Sequence, residues 1–567
     1  MIAHQEQLVA AEREKHFHRL VCFLTLAVLC ALLYLPGFSS IPPVDRDEAR
    51  FAQATRQMLE TGDFVQIRFQ QEHRYKKPAG IHWLQSAAVL ASGRSSRNSI
   101  WPYRLPSFAG ALLAVMLTFF MATRFYALRP AFLGTALLAG SALLVFEAHL
   151  ATADAALLSA VVAAQASLAV LYTQFRKGRV TGLVPSLVFW GAQAAGIMLK
   201  GPVVPVCSLV TIVSLAVADR EWRWLKRLNP AMGLPLTACL VFPWIFAVQG
   251  STGENFFLRA FASDLWPKLT AGRESHGFPP GYYLLLALFT FWPGSLFLLP
   301  AVSHAWRLRH EPLERFCLAW IIPCWLLLEC VPTKLPHYIL PVYPALGLLL
   351  ASLFSASNID QHGRLRAALI LWTAAGIAML AGLFLLQRYF KLDFPVLTAA
   401  LAATVLLIIS GCAAALKQQR VRQAATVCVL GALFLFVPVF GSLLPRFDSI
   451  WLSRSILQAV QKNSVSNDSS GANIGVAGYW EPSLIFLGGS ATKLLWPQQA
   501  AQFLCEEPGR IGVVLDEWDA SFRYSLTQRQ GSAAVLETIR GYNYSKGRWE
   551  TVRLYTARPA VSSLSGR

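Results

Sequence analysis

Asp47 and Glu48 stand in the stretch Val44-Asp-Arg-Asp-Glu-Ala-Arg50, just past the first long apolar run of the chain. Carboxylates beside a bilayer are costly to desolvate and are retained mainly where they do something. Such a pair suits a general base that activates an acceptor group, or a ligand for a divalent cation. The same residues also suit the positive N-terminal end of a helix, and the two readings are compatible. Asp154, in Ala151-Thr-Ala-Asp-Ala-Ala156, is a second isolated acid between two apolar runs, with the same double reading. Arg50, Lys77, Lys200 and Lys334 fall in segments of the same sidedness, and a phosphate or pyrophosphate is the simplest anion for them to meet. Lys77-Pro78 and Lys334-Leu-Pro336 each place a proline, which restricts the backbone, beside the charge. His276, in Ser275-His-Gly-Phe-Pro-Pro-Gly-Tyr-Tyr283, could ligate a metal or carry a proton.

What must position these groups follows from composition. The chain of 567 residues is 55% hydrophobic and only 14% charged, against roughly 25% charged in soluble domains. Apolar runs of spanning length lie near 20–37, 107–126, 131–149, 155–174, 182–199, 203–218, 231–249, 281–301, 317–332, 338–356, 367–386, 395–416 and 424–444, which predicts a polytopic α-helical membrane protein of about thirteen transmembrane helices. The segment 79–92 is too short and polar to count and reads as a re-entrant or interfacial helix. The net charge of +19 would suggest nucleic acid in a soluble protein, but here Lys and Arg cluster in alternate short loops. Arg124 and Arg129, Arg176 to Arg179, Arg220 to Arg227, Arg307 to Arg315, Arg364 and Arg366, and Lys417 to Arg422 mark one face. By the positive-inside bias that face is cytoplasmic, residues 1–19 are a cytoplasmic N-terminus, and 20–445 form the membrane domain. The loop 38–106, Asp154 and everything from 446 onward then lie outside, which in a bacterial inner membrane is the periplasmic face.

The first loop is patterned. Ala49, Ala52, Met58 and Leu59 alternate with Arg50, Gln53, Arg56 and Gln57 at helical spacing, and Glu60-Thr-Gly-Asp63 ends the helix on a glycine. Such a helix is expected to lie flat on the outer membrane surface. Residues 446–567 change character: Ile474–Tyr479 and Arg510–Leu515 read as buried strands and Gly541–Ala557 as a hairpin turning at Ser545-Lys-Gly547, a small α/β domain. The ten cysteines show no metal-ligand spacing, and the chain contains no P-loop and no HExxH.

Asp47-Glu-Ala-Arg50-Phe-Ala, Met58-Leu-Glu-Thr-Gly-Asp63, Lys77-Pro78 and Trp83 together resemble the first periplasmic loop of the ArnT-like glycosyltransferases of the GT-C superfamily, which also contains the protein O-mannosyltransferases. Thr333-Lys-Leu-Pro-His-Tyr338 is similar to that family's Ser/Thr-Lys-Leu-Pro-x-Tyr segment, Leu199-Lys-Gly201 to its Lys-Gly turn, and Tyr479-Trp-Glu-Pro-Ser-Leu484 to a segment of the outer domain. The resemblance implies thirteen membrane helices, a periplasmic α/β domain, and transfer of a sugar from a polyprenyl-phosphate carrier to an envelope acceptor such as lipid A. A protein or another envelope glycan is the alternative acceptor; a lipid-linked sugar flippase is disfavoured by the lack of an internal repeat. Residue by residue, the resemblance implies Asp47 and Asp154 as the essential acids, with Glu48 beside the first. It implies Arg50, Lys77 and Tyr338 as contacts of the donor phosphate. Lys200 and Lys334 could stabilise the leaving charge, and His276 could ligate a divalent cation. Lys76 stands where members often carry Glu, so a metal site using that Glu cannot form in the same way, and Phe51 replaces a common Tyr.

Overall fold

The computed structural model describes residues 2–74, 77–253, 278–356, 362–464 and 471–557. The chain divides into two compact units, one of residues 1–38, 75–81 and 104–442, the other of 39–74, 82–103 and 443–567. Most of the first loop therefore groups with the C-terminal segment, while its residues 75–81 group with the helices.

The first unit is helical. Among the described residues eight helices are long and apolar enough to cross a membrane: 14–34, 101–122, 154–176, 230–252, 336–355, 363–390, 395–417 and 421–446. A ninth candidate is a pair, Leu128–Ala139 and Ala142–Ala148, bent by 61°. The run 131–149 reads as one straight span in the sequence. In the structure it breaks at Gly140-Ser141, where the Ser141 hydroxyl turns back to Leu138 O at 2.8 Å and the Ala142 N–H leaves its helix for Trp292 O at 3.1 Å. The run 281–301 is broken as well, into Tyr282–Thr290 and Leu298–Arg307 around Trp292-Pro293, because proline has no N–H to continue the ladder. Val184–Lys200, Val203–Asp219 and Pro312–Cys330 are shorter or more charged helices of the same unit. The N-terminal helix runs without interruption from Ile2 to Tyr34, through the boundary expected near residue 19.

Small residues let these helices approach closely, as membrane helices require. A Cβ on Gly134 would fall 2.4 Å from Gly347 O, and one on Gly110 would fall 2.4 Å from the Cα of Ala156. At the loop ends bearing the positive charge, Asp219 ties three helices: it accepts from Tyr172 Oη at 2.6 Å, lies 3.6 Å from Arg176 and pairs with Arg315.

The second unit is a three-layer α/β domain with the first loop built into it. In chain order its strands are β1 (Arg68–Phe69), β2 (Glu72–His73), β3 (Ile474–Ala477), β4 (Lys493–Leu495), β5 (Ile511–Leu515), β6 (Ala533–Asn543) and β7 (Arg548–Ala557). The first two make a small antiparallel hairpin; the others form one sheet in the order β4-β3-β5-β7-β6. β4, β3 and β5 are parallel, while β7 and β6 add an antiparallel edge. Alternation along β5 sends Val513 into a core with Leu452, Ile456 and Leu554, and Val514 into a core with Ala500, Leu504 and Phe522. A sheet covered on both faces needs such apolar strands. Both strands and the hairpin expected in this segment are present.

The helix Asp47–Thr61 ends as its sequence predicts, on Gly62 in the left-handed conformation with its N–H on Met58 O at 3.0 Å. Its polar residues are not all turned to water, however. Gln53, Thr55 and Arg56 are buried, and each side chain makes a hydrogen bond within the unit: Gln53 Nε2 on Ser490, Thr55 on His82 and Gln85, Arg56 on Phe486 O. Part of the polar pattern thus forms a network inside protein, while Asp47, Glu60 and Thr61 keep an exposed side.

Candidate functional site

In the membrane unit, charged side chains gather where three helix ends meet. Asp154 opens the helix Asp154–Arg176 and Lys200 closes the helix Val184–Lys200. Each charge thus sits at the end of its helix dipole that favours it. Asp154 is 7% exposed, and the Lys200 ammonium donates directly to its carboxylate. The ammonium also lies 5.3 Å from the centre of the Tyr338 ring, within cation–π range. His337 stands between two acids, with Nδ1 3.8 Å from Glu147 Oε1 and Nε2 3.9 Å from Asp154 Oδ1. Glu147 is buried at the end of the bent helix pair, where Thr152 donates to it at 3.2 Å. Lys77 is close enough to act electrostatically on both carboxylates. Its segment is set against the Lys200 helix at Gly80, where a Cβ would fall 2.5 Å from Met198 O.

The turn that carries His337 and Tyr338 is held from below. Lys334 is 2% exposed, and its ammonium donates to Glu329 O at 2.9 Å and Val331 O at 2.8 Å, closing the carbonyl end of the helix Pro312–Cys330. The Glu329 carboxylate accepts the N–H groups of Gly281 and Tyr283, each at 3.0 Å, at the start of the helix Tyr282–Thr290, and Tyr283 Oη donates to Leu335 O at 3.2 Å. A buried acid and a buried base thereby position the turn.

In the second unit, Asp47 presents a half-exposed carboxylate whose Oδ1 is 3.7 Å from Arg74. Glu48 is buried and turns back to accept the Val44 N–H at 2.7 Å, a reach-back of the kind that fastens a helix start. Arg50 is partly buried on the same helix. Asp45 is anchored by Ser483, and burial pushes its carboxyl up to about 7, with Glu481 adding to the rise.

Among the described residues no group of three or more His, Cys, Asp or Glu forms a metal-holding cluster, and His276 lies outside the described residues. The Glu147–His337–Asp154 set does not fit a divalent cation, because Asp154 is already matched by Lys200 and Lys77 adds further positive charge.

Two of these residues, Glu147 and His337, were not singled out from the sequence. The signal for Glu147 is an acid inside an otherwise apolar run, Leu143-Leu-Val-Phe-Glu-Ala148. His337 occupies the variable position of the Lys-Leu-Pro-x-Tyr segment, where nothing in the spacing draws attention to it.

No family model matches the chain. It is 25% identical over 370 residues to the undecaprenyl phosphate-alpha-4-amino-4-deoxy-L-arabinose arabinosyl transferase of Edwardsiella ictaluri, a match covering 64% of this chain and 65% of that protein. It is 26% identical over 342 residues to the enzyme so named in Pectobacterium carotovorum, covering 58% of each. The matches span about three fifths of the length of these relatives. In fold the chain is similar to ArnT from Cupriavidus metallidurans bound to undecaprenyl phosphate, with a TM-score of 0.71 at 19% identity, covering 97% of this chain and 99% of that one. The apo state of the same protein gives the same score over 94% and 97%.

Proposed function

We propose, for a chain that is ArnT-like in sequence and in fold, that it is a membrane glycosyltransferase moving a sugar from a polyprenyl (undecaprenyl) phosphate donor to an envelope acceptor, lipid A or a related lipopolysaccharide, at the periplasmic face of the inner membrane. The observation that carries the proposal is the cluster of the buried acids Asp154 and Glu147 with the half-buried Lys200, Lys77 and His337 at helix ends of the membrane unit. Ionisable groups at such depth are costly and are retained for chemistry. The alternation of basic loops supports the periplasmic orientation.

In this reading the acceptor oxygen attacks the anomeric carbon, and the bond from that carbon to the donor phosphate breaks. The electron pair leaves with the phosphate, whose growing charge is met by the ammonium groups of Lys77 and Lys200 and by the Tyr338 hydroxyl. Asp154 holds Lys200 in place and stops it from pairing elsewhere. Lys334 acts through the turn it fastens. Asp47, with Glu48 beside it, and Arg50 take their roles from the first-loop resemblance: Asp47 orients the acceptor or accepts its proton, and Arg50 meets the phosphate. An acceptor that is itself an ionised phosphate gives up no proton and needs only orientation. No step is assigned to a metal, since the donor set around Asp154 does not suit one.

The test is mass spectrometry of lipid A and of polyprenyl-phosphate sugars in cells with and without the gene. Loss of one sugar mass from lipid A with build-up of its carrier-linked donor supports both substrates. Build-up of the donor with unchanged lipid A moves the acceptor to protein or another glycan. No change in either removes the transferase reading.

A further inference from the structure

Three tryptophans project from the same edge of the C-terminal sheet. Trp496 immediately follows β4, Trp480 comes three residues after β3, and Trp518 three residues after β5. These three strands are adjacent and parallel, with Ala477 level with Leu495 on one side and Val514 on the other. The indoles therefore stand together at the carboxyl ends of the parallel strands, the edge of an open α/β sheet at which ligands characteristically bind. Trp496 and Trp518 stack at 5.1 Å with planes 15° apart, and Trp480 meets both edge-on at 5.2 and 5.3 Å. Gly478, at φ 90°, makes the approach possible: a Cβ there would fall 3.2 Å from Trp518 Cδ2 and 2.8 Å from Leu515 Cβ.

The cluster is not a core. Trp496 is 56% exposed and Trp480 38% exposed, so much aromatic surface is left in water. A contiguous exposed patch of this kind marks a binding surface. The charges beside it are balanced: Glu517 pairs with Arg548 at 2.9 Å and Asp516 with Arg553 at 2.6 Å. The rim thus lacks the positive excess that an anionic lipid surface would call for. Planar aromatic faces with carboxylate acceptors at their edge match instead the alternating C–H face and hydroxyl rim of a sugar ring, since the face of an indole is electron-rich.

We infer that the Trp480–Trp496–Trp518 platform is a saccharide-binding site that engages the carbohydrate of an envelope glycan. The inference stands on the aromatic platform and its place in the sheet, and does not require the transfer reaction proposed above. The full-length protein in detergent is titrated with chitotetraose, maltoheptaose and deacylated lipopolysaccharide, and binding is read by saturation-transfer NMR and thermophoresis. At least one saccharide binds; Trp496→Ala together with Trp480→Ala weakens it by about tenfold or more, as loss of an aromatic anchor does elsewhere. Trp496→Tyr, which keeps an aromatic face and protects against misfolding as the explanation, retains most of the affinity. Absence of binding by all three saccharides, or equal binding by the double variant, overturns the site. So does a fluorophore at Trp496→Cys that reports lipid contact in liposomes, which would make the patch a bilayer anchor. A chain with no transferase activity would still show the binding, so the two proposals fail separately.

Discussion

Ser483 donates to Asp45 twice, from its backbone N–H at 2.7 Å and from its hydroxyl at 2.5 Å, and so fastens the first loop to the helix Pro482–Gly488 within their unit. The Asp45 N–H in turn donates to Tyr544 Oη at 2.6 Å. The carboxyl titrates near 7 because burial outweighs the stabilising hydrogen bonds. The folded protein therefore binds this proton more tightly than the unfolded chain, where an aspartate titrates near about 3.9. The unit should gain stability as the pH falls from above 7 towards 4, with no further gain below. Scanning fluorimetry of the detergent-solubilised protein between pH 8 and 5 should show a midpoint that rises on acidification, with a shallower slope in Asp45→Asn. An identical slope in the variant would refute the account.

The Asp154–Lys200 pair makes a sharper test of charge. Lys200→Met leaves a buried carboxylate without its ammonium and should cost about 3–5 kcal/mol of stability. Asp154→Asn combined with Lys200→Met removes both charges and should recover most of that loss while transfer stays absent. A double variant as unstable as the single one would mean that the pair is not what the site depends on.

Lys77→Ala should act on donor affinity. Without its ammonium the apparent KM for the polyprenyl-phosphate donor should rise by about tenfold, the worth of roughly one charge-assisted contact, with the fold intact. Steady-state kinetics at varied donor decides this; an unchanged KM rules out a phosphate role for Lys77.

His337 should behave as a positioning residue. His337→Phe removes the ring nitrogens that face Glu147 and Asp154 and should lower kcat by about tenfold with KM for the donor nearly unchanged. His337→Gln, whose amide can still donate to one carboxylate, should restore part of the rate. If Phe and Gln variants are equally active, the histidine merely fills space.

Legibility in the sequence follows a physical division. Apolar runs and basic loops announced the membrane helices because both signals are local and repeat along the chain. Asp154 and Lys200 could be picked out because each is a lone charge at the end of an apolar run. What was not legible depends on partners far away in sequence. The break at Gly140-Ser141 requires the carbonyl of Trp292 to receive the Ala142 N–H. The burial of Gln53, Thr55 and Arg56 requires Ser490, Gln85 and Phe486 to satisfy them. His337 becomes a candidate only once Glu147, 190 positions earlier, is seen beside it.

The bend in Leu128–Ala139 and Ala142–Ala148 also shortens that segment's reach. Helices of 12 and 7 residues rise about 18 and 10 Å, and at an angle of 61°, with Gly140-Ser141 between them, their rises do not add along one line. The Leu128 end follows Arg124 and carries Arg129, charges that favour water, while Glu147 stands near the other end. Glu147 thus closes a bent segment rather than a straight span, and turnover in liposomes should vary with acyl-chain length.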